Sequence, residues 1–201
     1  SGTRVDSVTT GTPQDLTDNN TVTQTTGKIG NAAFFDLANS EYLSHADSTK
    51  LSVQDISFSV GAWAKATTFS GNSVIASHYI QSTAHKSWKL LYYSSVGKYS
   101  FSVSSDGVTR TDVDAQIFGS PVTNVFNYIV AGHDSVNNTI WIAVNGGASN
   151  VVSHTGGVHD STALFMIGAR NTSDFWDGAI DEVSFWKKTL SAAERTELYG
   201  G

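Results

Sequence analysis

The chain has no cysteine, so neither disulfides nor thiolate metal sites hold it together. Proline occurs only at Pro13 and Pro121. Both fall outside every segment read below as a strand, as ladder hydrogen bonding requires. Charge is sparse: charged residues make up 15% of 201, with 12 basic against 18 acidic side chains and a net charge of −6. The basic residues are scattered, apart from Lys187-Lys188. No stripe exists for a phosphate backbone to follow, so nucleic acid is not expected as a partner. No apolar run is long enough to span a bilayer and no signal peptide is recognisable, so membrane insertion is not expected. With no initiator Met before Ser1-Gly2-Thr3, the chain reads as a single domain, residues 1–201, cut from a longer protein.

What the sequence does have is alternation. Ile56-Ser57-Phe58-Ser59-Val60-Gly61-Ala62 and Tyr99-Ser100-Phe101-Ser102-Val103 place apolar residues at every second position, and Ile140-Trp141-Ile142-Ala143-Val144 does so less cleanly. Such a period puts one set of side chains on a buried face. Further strands are expected at 32–36, 42–44, 73–77, 88–93, 128–133, 151–154, 163–168 and 180–186. Gly- and Asn-containing turns separate them, among them Asn145-Gly146-Gly147 and Gly156-Gly157, which supply the positive φ angles of tight hairpins. Many short strands with turns between them predict an all-β sandwich or barrel. One helix is expected at the C-terminus. Ser191-Ala192-Ala193-Glu194 is a capping box, with Leu190, Leu198 and Tyr199 placed to dock the helix and Gly200-Gly201 to end it. The first ~28 residues read as loop with one edge strand, by composition.

Three segments resemble the laminin-G-like domain of the concanavalin A-like lectin/glucanase superfamily. They are Gly27–Asp36 with Glu41-Tyr42-Leu43 and Ser57–Lys65; Phe126–Asp134 leading to Val144-Asn145-Gly146; and Asp177–Trp186 followed by Leu190–Glu194 and Leu198-Tyr199. The third, in which an Asp-Glu-Val strand runs into a capped helix, is the most specific. The resemblance implies a two-sheet antiparallel jelly-roll sandwich with one short C-terminal helix. It also implies carbohydrate binding, adhesion, or targeting in a secreted, cell-surface or phage surface protein. The metal it implies is calcium. The family's usual strand before the residues matching Arg4-Val5-Asp6 is truncated here.

The acidic residues Asp174, Asp177, Asp181 and Glu182 form the densest acidic stretch. Asp181 is the first candidate calcium ligand, with Asp6 and Asp36 to complete it, since calcium takes roughly 6–8 oxygens. Asp181 and Glu182 point to opposite faces of an alternating strand, and capping or ion pairing is the competing role. Glycoside hydrolysis needs two carboxylates roughly 5–10 Å apart, yet the chain has only four Glu, two of them on the predicted helix. No catalytic residues are assigned, and a glycoside hydrolase or polysaccharide lyase is the least favoured class. The six histidines form no metal-binding spacing and read as surface loop residues.

Sugar recognition turns on exposed aromatic rings. Phe58, Trp63, Phe101, Trp141 and Phe185 lie on alternating strands and are expected in the core. Trp176 sits in the polar loop Asn171-Thr172-Ser173-Asp174-Phe175-Trp176-Asp177, where an exposed ring beside Asn and Asp has the composition of a sugar site. A loop Trp can equally fold back over the core. Trp88, Tyr92 and Tyr93 share a strand whose alternation is broken, so some of these rings face outward. The expected ligand-binding set is Trp176, Asp174, Asn171, Trp88 and Tyr92. A glycan or polysaccharide is the expected partner. The alternative is a structural domain that meets a protein partner in a larger assembly.

Overall fold

The computed structural model describes residues 4–5, 13–81 and 84–200. In chain order the strands are β1 Thr17–Asn19, β2 Thr23–Thr26, β3 Asn31–Phe35, β4 Tyr42–His45, β5 Phe58–Ala66, β6 Ser73–Ile80 and β7 His85–Tyr93. They continue with β8 Lys98–Val103, β9 Thr111–Asp114, β10 Asn127–Asp134, β11 Thr139–Val144, β12 Asn150–Ser153, β13 Phe165–Ile167 and β14 Gly178–Trp186, and the helix α1 spans Ala192–Gly200. Every pairing is antiparallel. The first sheet runs β1-β4-β13-β6-β7-β8-β9 and the second β12-β11-β10-β5-β14-β3-β2. This is the expected two-sheet sandwich.

The alternating residues meet between the sheets. Phe58 from β5 lies 6.0 Å from Trp88 of β7, 6.1 Å from Phe101 of β8 and 5.7 Å from Phe185 of β14, centroid to centroid. All but Phe185 are completely buried. Such rings contribute both apolar area and aromatic pairing geometry. β14 carries a bulge: its register against β5 shifts between Asp181 and Ser184, and Glu182 sits there at φ 47°.

The outer face of the second sheet is also apolar. Trp63, Tyr128, Val130, Trp141 and Ala143 form a smaller buried cluster that includes Leu190. The chain after β14 covers it: Trp141 Nε1 donates to Thr189 Oγ1 at 3.1 Å, the Arg195 guanidinium lies 4.7 Å from the Trp141 ring, and Tyr199 stacks on Trp63 at 5.5 Å. The predicted capping box holds α1 in place. Glu194 N–H donates to Ser191 Oγ at 3.3 Å and Ser191 N–H to Glu194 Oε2 at 2.8 Å, so two otherwise orphaned donors are satisfied reciprocally.

Three features differ from the sequence reading. β1 and β2 are both formed where one edge strand was expected. β9 was not expected, because Thr-Asp-Val-Asp buries only Val113 and gives almost no period-2 signal. His78, His133 and His154 are buried rather than exposed in loops; the first two belong to β6 and β10, whose inward positions admit the ring.

Candidate ligand-binding face

With the second sheet covered by the C-terminal segment, the outer face of the first sheet is the one to examine. On β7, Trp88 and Leu90 belong to the core, so Ser87, Lys89 and Leu91 point the other way. Strand register then builds one row across six strands. Ser44 of β4 pairs with Met166 of β13, Met166 with Ser77 of β6, Ser77 with Lys89 of β7, Lys89 with Ser102 of β8, and Ser102 with Asp112 of β9. Apart from Met166, Lys89 has only small or short polar neighbours in this row, and it is the row's single cation.

The Tyr79 ring and two arginine–aspartate pairs surround Lys89. Its ammonium lies 4.8 Å from the Tyr79 ring centroid, within cation–π range. On one side Arg110 Nε pairs with Asp112 Oδ2 at 2.7 Å and its NH2 donates to Tyr93 Oη at 3.0 Å. On the other, Arg170 NH2 pairs with Asp174 Oδ2 at 2.7 Å and Arg170 NH1 donates to Gln81 Oε1 at 2.5 Å. The Arg170 guanidinium also lies 5.8 Å from the Tyr79 ring. Burial, and then the two arginines, pull the Lys89 pKa down from 10.5 to about 8. Burial pushes the Tyr79 hydroxyl up.

The polar groups at the centre are not all satisfied. The Ser87 hydroxyl and the Oδ1 of Asp112 are buried without a hydrogen-bonding partner among the described residues, while the Tyr79 hydroxyl lies against the Arg110 guanidinium. Around the Lys89 ammonium the charges of Asp174 and Asp112 act against those of the two arginines. Buried polar atoms in native proteins are nearly always paired, so each exception asks for a reason. The rim is open: about 29% of the Arg110 side chain and 26% of Asp112 are solvent-exposed.

Local turns fix both arginines. Asp106 Oδ1 accepts from the Val108 and Thr109 amides, each at 2.7 Å, and from Ser104 Oγ at 3.0 Å, which pins the loop leading to Arg110. These bonds to its ionised form hold the Asp106 carboxyl well below the usual range. Gly107, at φ 77°, lets that loop lie on the chain before β7; a Cβ there would come within 2.7 Å of the Ala84 carbonyl oxygen. Arg170 and Ser173 exchange two backbone hydrogen bonds of 3.0 Å, closing a tight hairpin with Asn171 in its turn.

Two of the sequence-expected ligand residues belong to this neighbourhood. Asp174 is tied to Arg170, and Asn171 stands exposed on the Arg170 hairpin. The other three are corrected. Trp176 is fully buried in the core, 6.3 Å from Phe69 in an edge-on contact, and offers no face to a sugar. The loop folds back because the Trp176 amide bonds to the Gly168 carbonyl at 2.8 Å, drawing the ring between the sheets. Trp88 is fully buried on the inner side of β7. Tyr92 also points inward and stacks on Phe69 at 4.0 Å. The outward ring on β7 is Tyr93. The residues that sequence reasoning missed are Lys89, Tyr79, Arg110 and Arg170. The Ser-Trp-Lys-Leu alternation around Lys89 was the available signal.

The calcium candidates do not assemble. Asp181 is buried, and its Oδ2 accepts from the Lys28 and Ile29 amides at 2.8 and 3.0 Å while Oδ1 accepts from the Glu182 amide. Gly27 allows this close turn, since a Cβ there would lie 2.5 Å from Asp181 Oδ2. Asp36 instead accepts from the Ala38 amide and the Asn39 side chain. Ile180 pairs with Ala33 and Gly178 with Phe35, so Asp36 and Asp181 stand about four residues apart along the ladder, roughly 13 Å. Asp6 lies outside the described residues. Among those residues, no three His, Asp or Glu side chains are grouped to hold a metal ion, and Asp36 and Asp181 do not together make a calcium site.

A cleft of about 510 Å³ also lies between α1 and the second sheet, lined by Trp63, Tyr128, Trp186, Glu182, Glu197 and Leu198 among others. Its aromatic floor is already engaged: besides Tyr199, the Lys28 ammonium lies 4.6 Å from the Trp63 ring. It reads as the seam of the docked helix.

Residues 37–194 match the family model Laminin_G_3, described as the concanavalin A-like lectin/glucanases superfamily. No curated protein matches the sequence. Among solved structures, Domain 4 of AbnA, a GH43 extracellular arabinanase from Geobacillus stearothermophilus in complex with arabinotriose, superposes with a TM-score of 0.70 at 18% identity, covering 92% of this chain and 86% of that one. The binding domain of Paraclostridial Mosquitocidal Protein 1 gives 0.74 at 10% identity, covering 98% and 51%. The Botulinum Neurotoxin serotype G binding domain gives 0.71 at 13%, covering 93% and 46%. The chain thus spans about half the length of the toxin domains it matches. At these identities the likeness is one of fold. Among the described residues no helix is long and apolar enough to cross a membrane.

Proposed function

The chain belongs to the concanavalin A-like lectin/glucanases superfamily, and on that premise we propose that it is a non-catalytic carbohydrate-binding module whose ligand lies across the outer face of the first sheet. One observation carries the reading. The partly exposed Arg110, Asp112 and Tyr93 form a hydrogen-bonded group above the buried polar cluster of Lys89, Tyr79 and Ser87, on a sheet face that the helix does not cover. Two Arg–Asp pairs flank them. Ring hydroxyls of a sugar supply both donors and acceptors, which the partly exposed guanidinium, carboxylate and phenol of Arg110, Asp112 and Tyr93 can meet. The structural likeness to an arabinanase domain in complex with arabinotriose supports the reading.

Catalysis is disfavoured by the use already made of the carboxylates. Asp112 and Asp174 are engaged by arginines. Glu41 is buried and accepts from the Asp36 amide, Glu194 caps the helix, and Glu182 and Glu197 line the seam on the opposite sheet. Among the described residues no pair is free to flank a glycosidic bond at this face. The module would serve a secreted, cell-surface or phage surface protein by holding it to a glycan.

The protein-interaction alternative has one observation in its favour. Val151 and Val152 are 55% and 37% exposed on the edge strand β12, where a partner strand could add.

Isothermal titration against oligosaccharides found by glycan-array screening tests the proposal. Arg110→Ala and Arg170→Ala, each folded by circular dichroism, are expected to weaken binding at least tenfold. Binding unaffected by either change, or steady hydrolysis of the bound glycan, would refute it.

A further inference from the structure

We propose that β12, the outer strand of the second sheet, pairs with β12 of a second copy of this chain, so that the two second sheets join across a two-fold axis. The inference does not depend on the carbohydrate-binding reading.

The strands that end the two sheets are β1, β9, β12 and β2. An exposed strand edge invites pairing, and proteins guard it with charge, proline or a bulge. β1 carries Asp18, and β9 carries Asp112 and Asp114. β2 is Thr-Gln-Thr-Thr, whose side chains are polar. β12 has none of these guards. It reads Asn-Val-Val-Ser, its register against β11 is unbroken, and Val151 and Val152 are 55% and 37% exposed. Ile117, also exposed, is held beside the strand because its amide donates to Asn150 Oδ1 at 3.0 Å.

The register of a self-pair follows from the hydrogen bonds already made. The His154 amide donates to the Asn138 carbonyl at 2.7 Å, which extends the β11–β12 ladder by one residue. By alternation, Val152 and Asn150 also bond to β11, and Val151 and Ser153 turn their N–H and C=O groups to the open side. Among the described residues nothing hydrogen-bonds to those groups. A two-fold axis through Val152 sets Val151 of each copy opposite Ser153 of the other, the arrangement in which both residues exchange N–H and C=O. Val152 then faces its own counterpart at the closer, non-hydrogen-bonded position, about 4.5 Å between Cα atoms. The Ile140–Val152 pair of one copy continues into the same pair of the other as one apolar row.

Charge favours a second copy as the occupant. A two-fold contact must complement itself, which an edge bearing net charge does not. Between Asp134 and Asp160 the chain carries no Asp, Glu, Lys or Arg, although its net charge is −6. On the neighbouring edge of the first sheet, Asp112 and Asp114 lie opposite Ser102 and Ser100 on the outer face, turned away from the joint. The short strand makes the contact small, so the dimer is weak and concentration-dependent. Its axis stands perpendicular to the sheet, so the first-sheet outer faces of both copies point the same way. If those faces bind glycan as proposed above, two sites then engage one surface together.

Sedimentation equilibrium of the whole protein over a concentration series is expected to show reversible monomer and dimer. Val152→Lys places like charges directly opposite each other and is expected to weaken association at least tenfold, whereas Val152→Thr largely keeps it; thermal melts check the folding of both. The chain has no cysteine, so Val152→Cys forms only intermolecular disulfides. On mild oxidation it is expected to cross-link at least tenfold faster than Leu164→Cys, a comparably exposed position at the start of β13, well inside the first sheet. A parent that stays monomeric throughout the series overturns the inference. So does association unchanged in Val152→Lys, or cross-linking no faster at position 152 than at 164.

Discussion

Replacing Lys89 by methionine is expected to make the protein more stable. Met fills nearly the same volume without a charge, and the site is almost completely buried. The fall in the Lys89 pKa from 10.5 to about 8 measures how much the fold disfavours the ammonium. At about 1.4 kcal/mol per pH unit this comes to about 3 kcal/mol. The sign follows from proton counting. Between about pH 8 and 10.5 the unfolded chain holds a proton on this lysine that the folded chain has released, so stability rises with pH across that window. Below it, where both states are protonated, the full penalty is present and Lys89→Met removes it. Urea unfolding of both proteins at steps from pH 7 to 10.5 reads the difference. The variant should be more stable by up to about 3 kcal/mol at pH 7, with the advantage shrinking as pH approaches 10.5. A variant less stable than the parent at pH 7, or an advantage that does not change with pH, would refute the reasoning. A functional site that costs stability is a common pattern, and here it would have a single side chain as its source.

Other outcomes follow from the same structure. Trp176→Ala should cost about 3–5 kcal/mol as a core truncation, read by denaturant melts, and in the parent the Trp176 fluorescence should resist acrylamide and ignore added glycan. Asp106→Ala should speed hydrogen exchange at the Val108 and Thr109 amides, which lose their acceptor, and weaken ligand binding by loosening Arg110. Burial lowers the pKa of both His78 and His154, so the unfolded chain binds more protons near and below pH 6.5. The contribution of these two histidines to stability should therefore be constant above about pH 6.5 and fall as the pH drops towards the folded values, and His78→Leu should make that decline shallower between pH 7 and 5.

The fold was legible because its code is local. Phe58, Val60 and Ala62 alternate with smaller residues, and all three are core; Ser191 and Glu194 spell a helix start that forms as read. Thr17–Asn19, Thr23–Thr26 and Thr111–Asp114 escaped as a full set because short edge strands bury little. The site was less legible, since aromatic rings were taken as the marker of a sugar face. Trp176 lies in a polar loop, yet one backbone bond to Gly168 turns it inward, and no local pattern reports such a bond. Asp174 was found for its polarity, but its partner Arg170 gained meaning only when the hairpin closed. Lys89 lies between Trp88 and Leu90. Once β7 is in register, the alternation that buries those two must present Lys89 on the opposite face, where Tyr79, Arg110 and Arg170 arrive from distant parts of the chain.

The most direct measurement is an amide and side-chain NMR titration with a bound oligosaccharide. Shifts should concentrate on Tyr79, Ser87, Lys89, Ser102, Arg110, Asp112 and Arg170, with the Trp63, Trp186 and Leu198 signals unmoved. Shifts confined to α1 and the seam beneath it would contradict a ligand face on the first sheet.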